Sequence, residues 1–478
     1  MSERFVVVGG DAAGMSAAAK ARREDPEREV VVLERGEWVS YGACGIPYYV
    51  RGRIPDVDDL VVTEPEKLVG KYGIDLRRHH EAVAVDPADR TVTVDAADGR
   101  YDLEYADLLL ATGGSGADLD VPGEDLDGVF TIRSLEEGRA LREYLQPGES
   151  HHPGAELPLG GEFQDHLHGA VERVAVVGAN KIGLELVAAF DARGLDVHLV
   201  DDGEHVFESG PLTLPSFGAA AAGVVEEHLR ERGVTLHLDA PVERFAGEDG
   251  RVTAIESARG RVPADAVLVD EGVQPNVELA ADAGIDLGPT GAVAVDDYGR
   301  TSADGVYAAG DCAEKHHLVL DRPVHLPLGL AANRGGRAVG TTVTGTPTRQ
   351  GPVVGTVTMK VFDLEVASSG VLNPEEARSA GFDPVVETVS TISRAHYYPG
   401  WSRITVEMVA DRETGRLLGA GLVGKEGCAH RVNAVATALH AGMTVGEVAD
   451  LDLGYSPPFG PGWDPLLTAA KALSGDLD

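Results

Sequence analysis

The sequence predicts an α/β protein, with two dinucleotide-binding βαβ units followed by a smaller α+β unit. Three observations carry this. The apolar run Phe5-Val6-Val7-Val8 meets the Gly-rich turn Gly9-Gly10-Asp11-Ala12-Ala13-Gly14 and then an Ala-rich helix from Met15 to about Arg23. The same order recurs from Val174, so the chain contains an internal repeat. From about Gly351 the texture changes to alternating strands, 353–362 and 404–409, with two late helices.

In the first unit, a short and wholly apolar run reads as a buried parallel strand. Gly9 makes the tight turn, and Gly14 lets the helix pack closely on the strand. The helix N-terminus receives a pyrophosphate, and Glu34, which closes the second strand 30–33, accepts hydrogen bonds from ribose hydroxyls. Asp11 stands at the middle-glycine position, a carboxylate near a diphosphate, so its side chain is expected to point away. Further on, 92–94 alternates and reads as antiparallel. Leu108-Leu109-Leu110 is a buried strand ending in Ala111-Thr112-Gly113-Gly114, a second approach to the same dinucleotide.

Between these elements lies Ser40-Tyr41-Gly42-Ala43-Cys44-Gly45-Ile46-Pro47-Tyr48, which holds one of only three cysteines. Pro47 is tolerated in a helix's first turn, so a helix is expected to start at the sulfur. A helix N-terminus favours thiolate over thiol, and the thiolate is the form that attacks disulfides. Cys44 is therefore read as redox-active rather than as a buried structural residue.

Residues 146–169 break the pattern. They are rich in Pro, Gly and His, including His151, His152, His166 and His168, but the spacing matches no metal-ligand template. They read as an exposed insertion, and no metal site is assigned. The second unit follows: strand 174–177, turn Gly178-Ala179-Asn180-Lys181-Ile182-Gly183, a helix over 184–193, and strand 197–200 ending at Asp201-Asp202. Paired acids at that strand end favour the free 2′-hydroxyl of NADH and repel the 2′-phosphate of NADPH, although Lys181 could itself attract a phosphate. After strand 266–269, the segment from Thr301 to Cys312 gives a turn, a buried strand and Gly310-Asp311, and Cys312 reads as a packed small residue. A helix over 326–340 carries Asn333. The last unit holds two aromatic clusters, His396-Tyr397-Tyr398-Pro399-Gly400 and Tyr455-Ser456-Pro457-Pro458-Phe459.

Composition narrows the partners. The chain has 41 basic and 78 acidic residues, a formal charge of -37, and only 8 of its basic residues are Lys. Such a surface stays hydrated in concentrated salt, where long-range repulsion is screened, and reads as adaptation to a high-salt cytoplasm. It argues against nucleic acid or an anionic membrane as partner, and it poses a problem for any anionic substrate. Three cysteines make neither a disulfide framework nor a zinc cluster, so a reducing compartment is expected. Met1-Ser2-Glu3-Arg4 runs straight into the first strand, so no signal peptide is expected, and no apolar run of membrane-spanning length occurs.

Together these elements resemble the flavin-dependent pyridine nucleotide–disulfide oxidoreductases, and among them the coenzyme A disulfide reductases. The marks are the single Cys in Ser40…Cys44-Gly45-Ile46-Pro47-Tyr48, Thr301…Gly310-Asp311, Tyr397-Tyr398-Pro399-Gly400, Gly424-Lys425-Glu426-Gly427, and Asp450-Leu451-Asp452…Tyr455-Ser456-Pro457-Pro458. They span the chain apart from the insertion and a segment near Pro211–Phe217. The resemblance implies two Rossmann-like domains and a C-terminal α+β dimerisation domain: FAD on 1–115 and 289–342, NAD(P)H on 116–288, and dimerisation through 343–478. It implies FAD contacts at Gly9, Gly14, Glu34, Thr112, Gly113, Gly310 and Asp311, with Asp311 on a ribityl hydroxyl. NADH, or NADPH, would lie on Gly178, Gly183 and Asp201. Substrate contacts map to Ser16, Lys20, Arg23, Ser40 and Lys71. Tyr398 and Tyr455 of a homodimer would reach the partner's site. Lys181 replaces an aromatic that often gates the nicotinamide pocket in the family. Relatives of the glutathione and lipoamide type carry a Cys pair, whereas one-cysteine members use a substrate sulfur as the missing partner. The activity implied is reduction of a small disulfide, coenzyme A disulfide first. Persulfide or polysulfide reduction, an NADH oxidase or peroxidase cycle through sulfenic acid, and a flavin redox partner or sensor are the alternatives.

Overall fold

The computed structural model describes residues 3–146, 171–208 and 216–477. The four histidines of the insertion and residues 211–215 lie outside the described residues. Phe5–Val8 is the central strand of a five-stranded parallel sheet ordered Val306–Ala308, Asp107–Leu110, Phe5–Val8, Val30–Glu34, Asp75–Arg78. Val8 lies opposite both Leu33 and Leu110, so the turns after three strands meet at one edge. The inner strands Phe5–Val8, Val30–Glu34 and Asp107–Leu110 are covered on both faces, which is why they carry apolar runs, whereas the edge strand Asp75–Arg78 is polar and partly exposed. Phe5, Val6 and Val7 are fully buried.

A second parallel sheet repeats the plan in the order Thr235–His237, Asp196–Val200, Arg173–Val177, Ala266–Val269, Val129–Phe130. Val177 faces both Val200 and Val269, the counterpart of Val8 facing Leu33 and Leu110. The two units are joined by an antiparallel ribbon of Gly114–Gly116 with Val273–Pro275. The residues around 92–94 lie in a small antiparallel sheet, Thr91–Ala96 between His80–Asp86 and Tyr101–Glu104, as the alternation predicts.

Four helices position the site: α1 (Ala12–Glu24), α2 (Ile46–Val50), α3 (Lys181–Asp191) and α4 (Gly329–Thr342). Helices α1 and α3 each start three residues earlier than the sequence suggests. The Gly-rich turn passes directly into helix, so its last residues already form the first turn. Helices α1 and α4 run parallel with their backbones in contact. A Cβ on Gly336 or Gly340 would collide with the carbonyl oxygens of Ala13 and Ala17.

The last unit is a five-stranded antiparallel sheet, Val357–Val361, Leu364–Gly370, Leu417–Gly424, Arg403–Asp411, Pro384–Ile392, packed by the helix Cys428–Ala441. It carries two further helices near its end, Val445–Ala449 and Pro465–Gly475, one more than expected. The additional one is five residues long, too short for a 3.6-residue period to show, and is held by a capping box between Thr444 and Glu447. Among the described residues no helix is long and apolar enough to cross a membrane.

Candidate active site

Where the three strand ends of the first sheet meet, the fold leaves a cavity of about 1000 Å³. Gly9, Glu34, Thr112, Gly113, Gly310, Asp311 and Cys44 all line it. Gly9 has φ +105°, and a Cβ there would strike the Ala111 carbonyl, so only glycine closes this turn. Gly14 lies against the Gly9 carbonyl, behind the cavity wall. Glu34 accepts from the Gly10 and Gly36 amides, both at 2.7 Å. Thr112 Oγ1 donates to the Asn276 carbonyl at 2.6 Å, and the Asn276 amide returns a bond to the Thr112 carbonyl at 2.8 Å. Asp311 is paired with Arg133 at 2.9 Å, and the Nε of Arg133 is buried at the cavity with no partner. Lys315, buried and pushed down by desolvation, donates to the Gly310 carbonyl at 2.7 Å and fixes that turn.

Cys44 sits on a single 3-10 turn, Ala43–Gly45, and α2 begins two residues later with Gly45 as its N-cap. The expected helix start at the sulfur is thus displaced: Pro47 does fall in the first turn of α2, at its second position, but Cys44 lies in the 3-10 turn before it. The thiol is exposed to the cavity, whereas Cys312 and Cys428 are fully buried. Burial raises both of those thiols, Cys428 to about 12. Asp11 Oδ1 accepts from the Tyr41 amide at 3.0 Å, tying the first turn to the cysteine stretch, while the residue itself lines the cavity beside Glu34 and Asp311. Burial pushes the Asp11 carboxyl up to about 6.

The second turn repeats the geometry. A Cβ on Gly178 would strike the Asp270 carbonyl, and one on Gly183 the Gly178 carbonyl. Asp201 Oδ2 accepts from the Ala179 amide at 2.5 Å and Oδ1 from Gly203 at 2.8 Å, as Glu34 does in the first unit. Asp201 is only 1% exposed, and the solvent-facing acid beside it is Asp202. Asp270 and Glu271 join them, each carboxyl raised to about 7 by burial, Glu271 also by its acidic neighbours. Lys181 is bound to Glu185 at 3.2 Å, on the side facing Tyr48 and Cys44, rather than to the Asp201–Asp202 pair.

Of the remaining expected contacts, Ser16 donates to Asn333, which lines the cavity, at 2.5 Å. Arg23 and Lys71 share the Tyr72 ring, at 5.8 and 5.1 Å. Ser40 adopts φ +52° next to the cysteine turn. Lys20 pairs with Glu24 and opens toward α4. Tyr398 and Tyr455 do not line the cavity of their own chain, and are 37% and 66% exposed. Arg431 draws their two segments together by donating to the carbonyls of Ser393 and Phe459. Arg133, Asn276 and Lys315 escape a reading of the sequence. Their partners lie far along the chain, and no local pattern marks them.

Residues 3–332 match the family model for pyridine nucleotide-disulphide oxidoreductases, and residues 356–465 match that family's dimerisation domain. The chain belongs to this family. It is 35% identical over 473 residues to an NAD(P)H coenzyme A polysulfide/persulfide reductase of Pyrococcus horikoshii, covering 99% of each chain. It is 27% identical over 460 residues to a coenzyme A disulfide reductase of Staphylococcus aureus, covering 95% of this chain and 96% of that one. Among solved structures, it resembles an NAD-dependent persulfide reductase from A. fulgidus with a TM-score of 0.89 and 34% identity, over 99% of this chain and 83% of that one. It is thus an oxidoreductase that uses FAD and NAD(P)H, and its fold has the Rossmann-type organisation that the two Gly-rich turns predict. The cavity fits the flavin nucleotide: a glycine cradle, a helix N-terminus and the unpartnered Arg133 Nε converge on it.

Proposed function

We propose that this enzyme reduces coenzyme A disulfide, with Cys44 carrying the substrate's sulfur as a mixed disulfide. The observation that carries the reading is a single cavity-exposed thiol beside a nucleotide cradle, while the other two thiols are fully buried and do not line it. A lone thiol needs a sulfur from the substrate to form a disulfide. FAD would be held by Gly9, Gly14, Glu34, Thr112, Gly113, Gly310 and Asp311, and NADH by Gly178, Gly183 and the Asp201–Asp202 strand end. Bound there, the flavin supplies transfer of two electrons from NAD(P)H to sulfur. The protein's part is to present Cys44 as a nucleophile. Its thiolate attacks one substrate sulfur, an S–S bond forms as the substrate's S–S bond breaks, and the departing thiolate takes a proton. The one-domain-each plan implied for 1–115 with 289–342, 116–288 and 343–478 would place these groups on two domains and the dimer contacts on the third.

Persulfide or polysulfide reduction is the second reading, favoured by the named activities of the P. horikoshii and A. fulgidus relatives. The same thiol would serve it. Steady-state rates with coenzyme A disulfide, polysulfide, peroxide and oxygen, measured in molar salt, separate these readings. A rate with oxygen exceeding all sulfur substrates would replace the proposal with an oxidase.

In a homodimer, the exposed Tyr398 and Tyr455 would approach the partner's Cys44 and protonate the leaving thiolate. Tyr455→Phe is expected to lower kcat by about 10- to 100-fold while the dimer persists by sedimentation. Unchanged kcat in both Tyr455→Phe and Tyr398→Phe would make these rings packing only. NADH is expected to be preferred, because Lys181 is engaged with Glu185 while Asp202 faces solvent at the strand end. Asp202→Ala should raise kcat/KM for NADPH about tenfold by removing like charge. The check is kcat/KM for both nucleotides at matched salt, and a preference for NADPH in the unmutated enzyme would refute it.

A further inference from the structure

The two dinucleotide units overlay turn on turn. The Ala111 amide donates to the Val8 carbonyl at 2.8 Å, and the Asp270 amide to the Val177 carbonyl at 2.8 Å. A Cβ on Gly9 would strike the Ala111 carbonyl, and one on Gly178 the Asp270 carbonyl. Asp270-Glu271-Gly272 therefore holds, in the second unit, the place of Ala111-Thr112-Gly113 in the first. All three first-unit residues line the nucleotide cavity. By the same geometry their counterparts border the second dinucleotide turn. The chain thus sets two carboxyl groups where its own flavin half has a methyl and a hydroxyl.

The two acids differ in their surroundings. Asp270 is buried, accepts from the Gly183 amide at 2.6 Å, and faces the cations Arg133 and Lys181 as well as the acid Glu185. Glu271 is half-buried and reaches over the turn, its Oε1 3.3 Å from where a Gly178 Cβ would stand. No hydrogen bond or ion pair to Glu271 occurs among the described residues. The charged groups that face it are all acids: Asp201 and Asp202, which follow strand Asp196–Val200, and Asp270 beside it. Burial and these neighbours raise its carboxyl from 4.5 to about 7. A dinucleotide brings an anionic diphosphate to such a turn. In molar salt the screening length falls to about 3 Å, so distant surface acids matter little, whereas a carboxylate standing over the turn still counts.

We propose that Glu271 controls admission of the nicotinamide dinucleotide: its carboxylate repels the diphosphate and its carboxylic acid admits it, so binding takes up a proton from solution. That a dinucleotide occupies the Gly178–Gly183 turn rests on the reading above. Glu271 acts on NADH and NADPH alike, because the glycine turn receives the diphosphate common to both. Its role is therefore separate from that of Asp202, which discriminates between them.

Calorimetry of the flavin-loaded enzyme with ADP-ribose tests this, since that ligand carries the diphosphate but no nicotinamide to react. Its diphosphate stays ionised between pH 6 and 8, so a proton taken up belongs to the protein. Titrations at fixed molar salt, in two buffers of different ionisation enthalpy, should show uptake of about half a proton at pH 7, and affinity should fall about tenfold from pH 6 to pH 8. Glu271→Gln should match the parent at pH 6, bind about tenfold more tightly than the parent at pH 8, and take up almost no proton. Glu271→Thr, which restores the residue of the first unit, should do the same. Flavin content equal to the parent's checks that both variants fold. Asn180→Glu, which places a carboxylate within the turn itself, should weaken binding at pH 8 by about tenfold or more. A parental pH dependence in both Glu271 variants, alongside a loss in Asn180→Glu, would overturn the role of Glu271 and keep the dinucleotide on this turn. No loss in Asn180→Glu would place the dinucleotide elsewhere and overturn both.

Discussion

Replacing Cys44 with serine is expected to leave the flavin bound and to lower disulfide reduction by about 10⁴-fold or more. The alcohol cannot form the S–S bond that the mixed disulfide requires, and nothing else near the cavity can take over. Cys312 lies under the first sheet with its Sγ directed at the Leu110 carbonyl, and Cys428 starts a helix of the last unit with no exposed surface. Their serine variants should keep turnover and instead lose stability, by about 1–3 kcal/mol each for burying a hydroxyl in a thiol's place. Cavity-lining glycines and acids are untouched in Cys44→Ser, so its flavin absorbance and stoichiometry should match those of the parent. The measurement is single-turnover reduction of coenzyme A disulfide by the NADH-reduced enzyme. Parental rates in Cys44→Ser would remove the sulfur from the mechanism.

The parts of this molecule that repeat were legible in its sequence. The two Gly-rich turns could be paired because each needs glycine for the same reason: Gly9 and Gly178 lie against a neighbouring strand's carbonyl, and no other residue fits. The acids ending the second strands were legible too, and Glu34 and Asp201 make the same bond to their own turn's amide. What the sequence hid was contact between distant segments. Arg133 reaches Asp311 from 178 positions away, and Thr112 meets Asn276 from 164. Such pairs leave no periodic trace. The packing of α1 on α4 was hidden similarly: Lys20 could be singled out on one helix, but Arg334 and Arg337 come to share a surface cleft with it only because the two helices pack through Gly336 and Gly340. Helix ends were misread by a few residues because a glycine turn and the helix it opens share residues.

Asp11 should make the enzyme less stable above pH 6 than below it. The residue stands where the other turn has Asn180, and burial raises its carboxyl from 3.8 to about 6, with Glu34 and Asp311 adding like charge. A carboxyl whose folded-state value is raised costs nothing at low pH, where both states are protonated. The cost grows between about pH 4 and 6 and then stays constant, because the unfolded chain releases its proton first. A rise of this size costs about 2–3 kcal/mol at pH 8 and about half of that at pH 5. A bound diphosphate adds negative charge near the turn and moves the effect in the same direction. Asp11→Asn keeps an oxygen for the Tyr41 amide and removes the ionisation. It should therefore stabilise the flavin-loaded enzyme at pH 8, by about twice its gain at pH 5. Asp11→Ala also removes the ionisation but leaves the Tyr41 amide without its acceptor, and the cysteine turn loses its tether to the first glycine loop. Thermal midpoints of the three proteins at pH 5 and 8, followed by flavin fluorescence, decide this. A gain in Asp11→Asn that is equal at both pH values would mean the carboxyl is not ionising in this range, and an equal gain in Asp11→Ala would mean the bond to Tyr41 carries no weight.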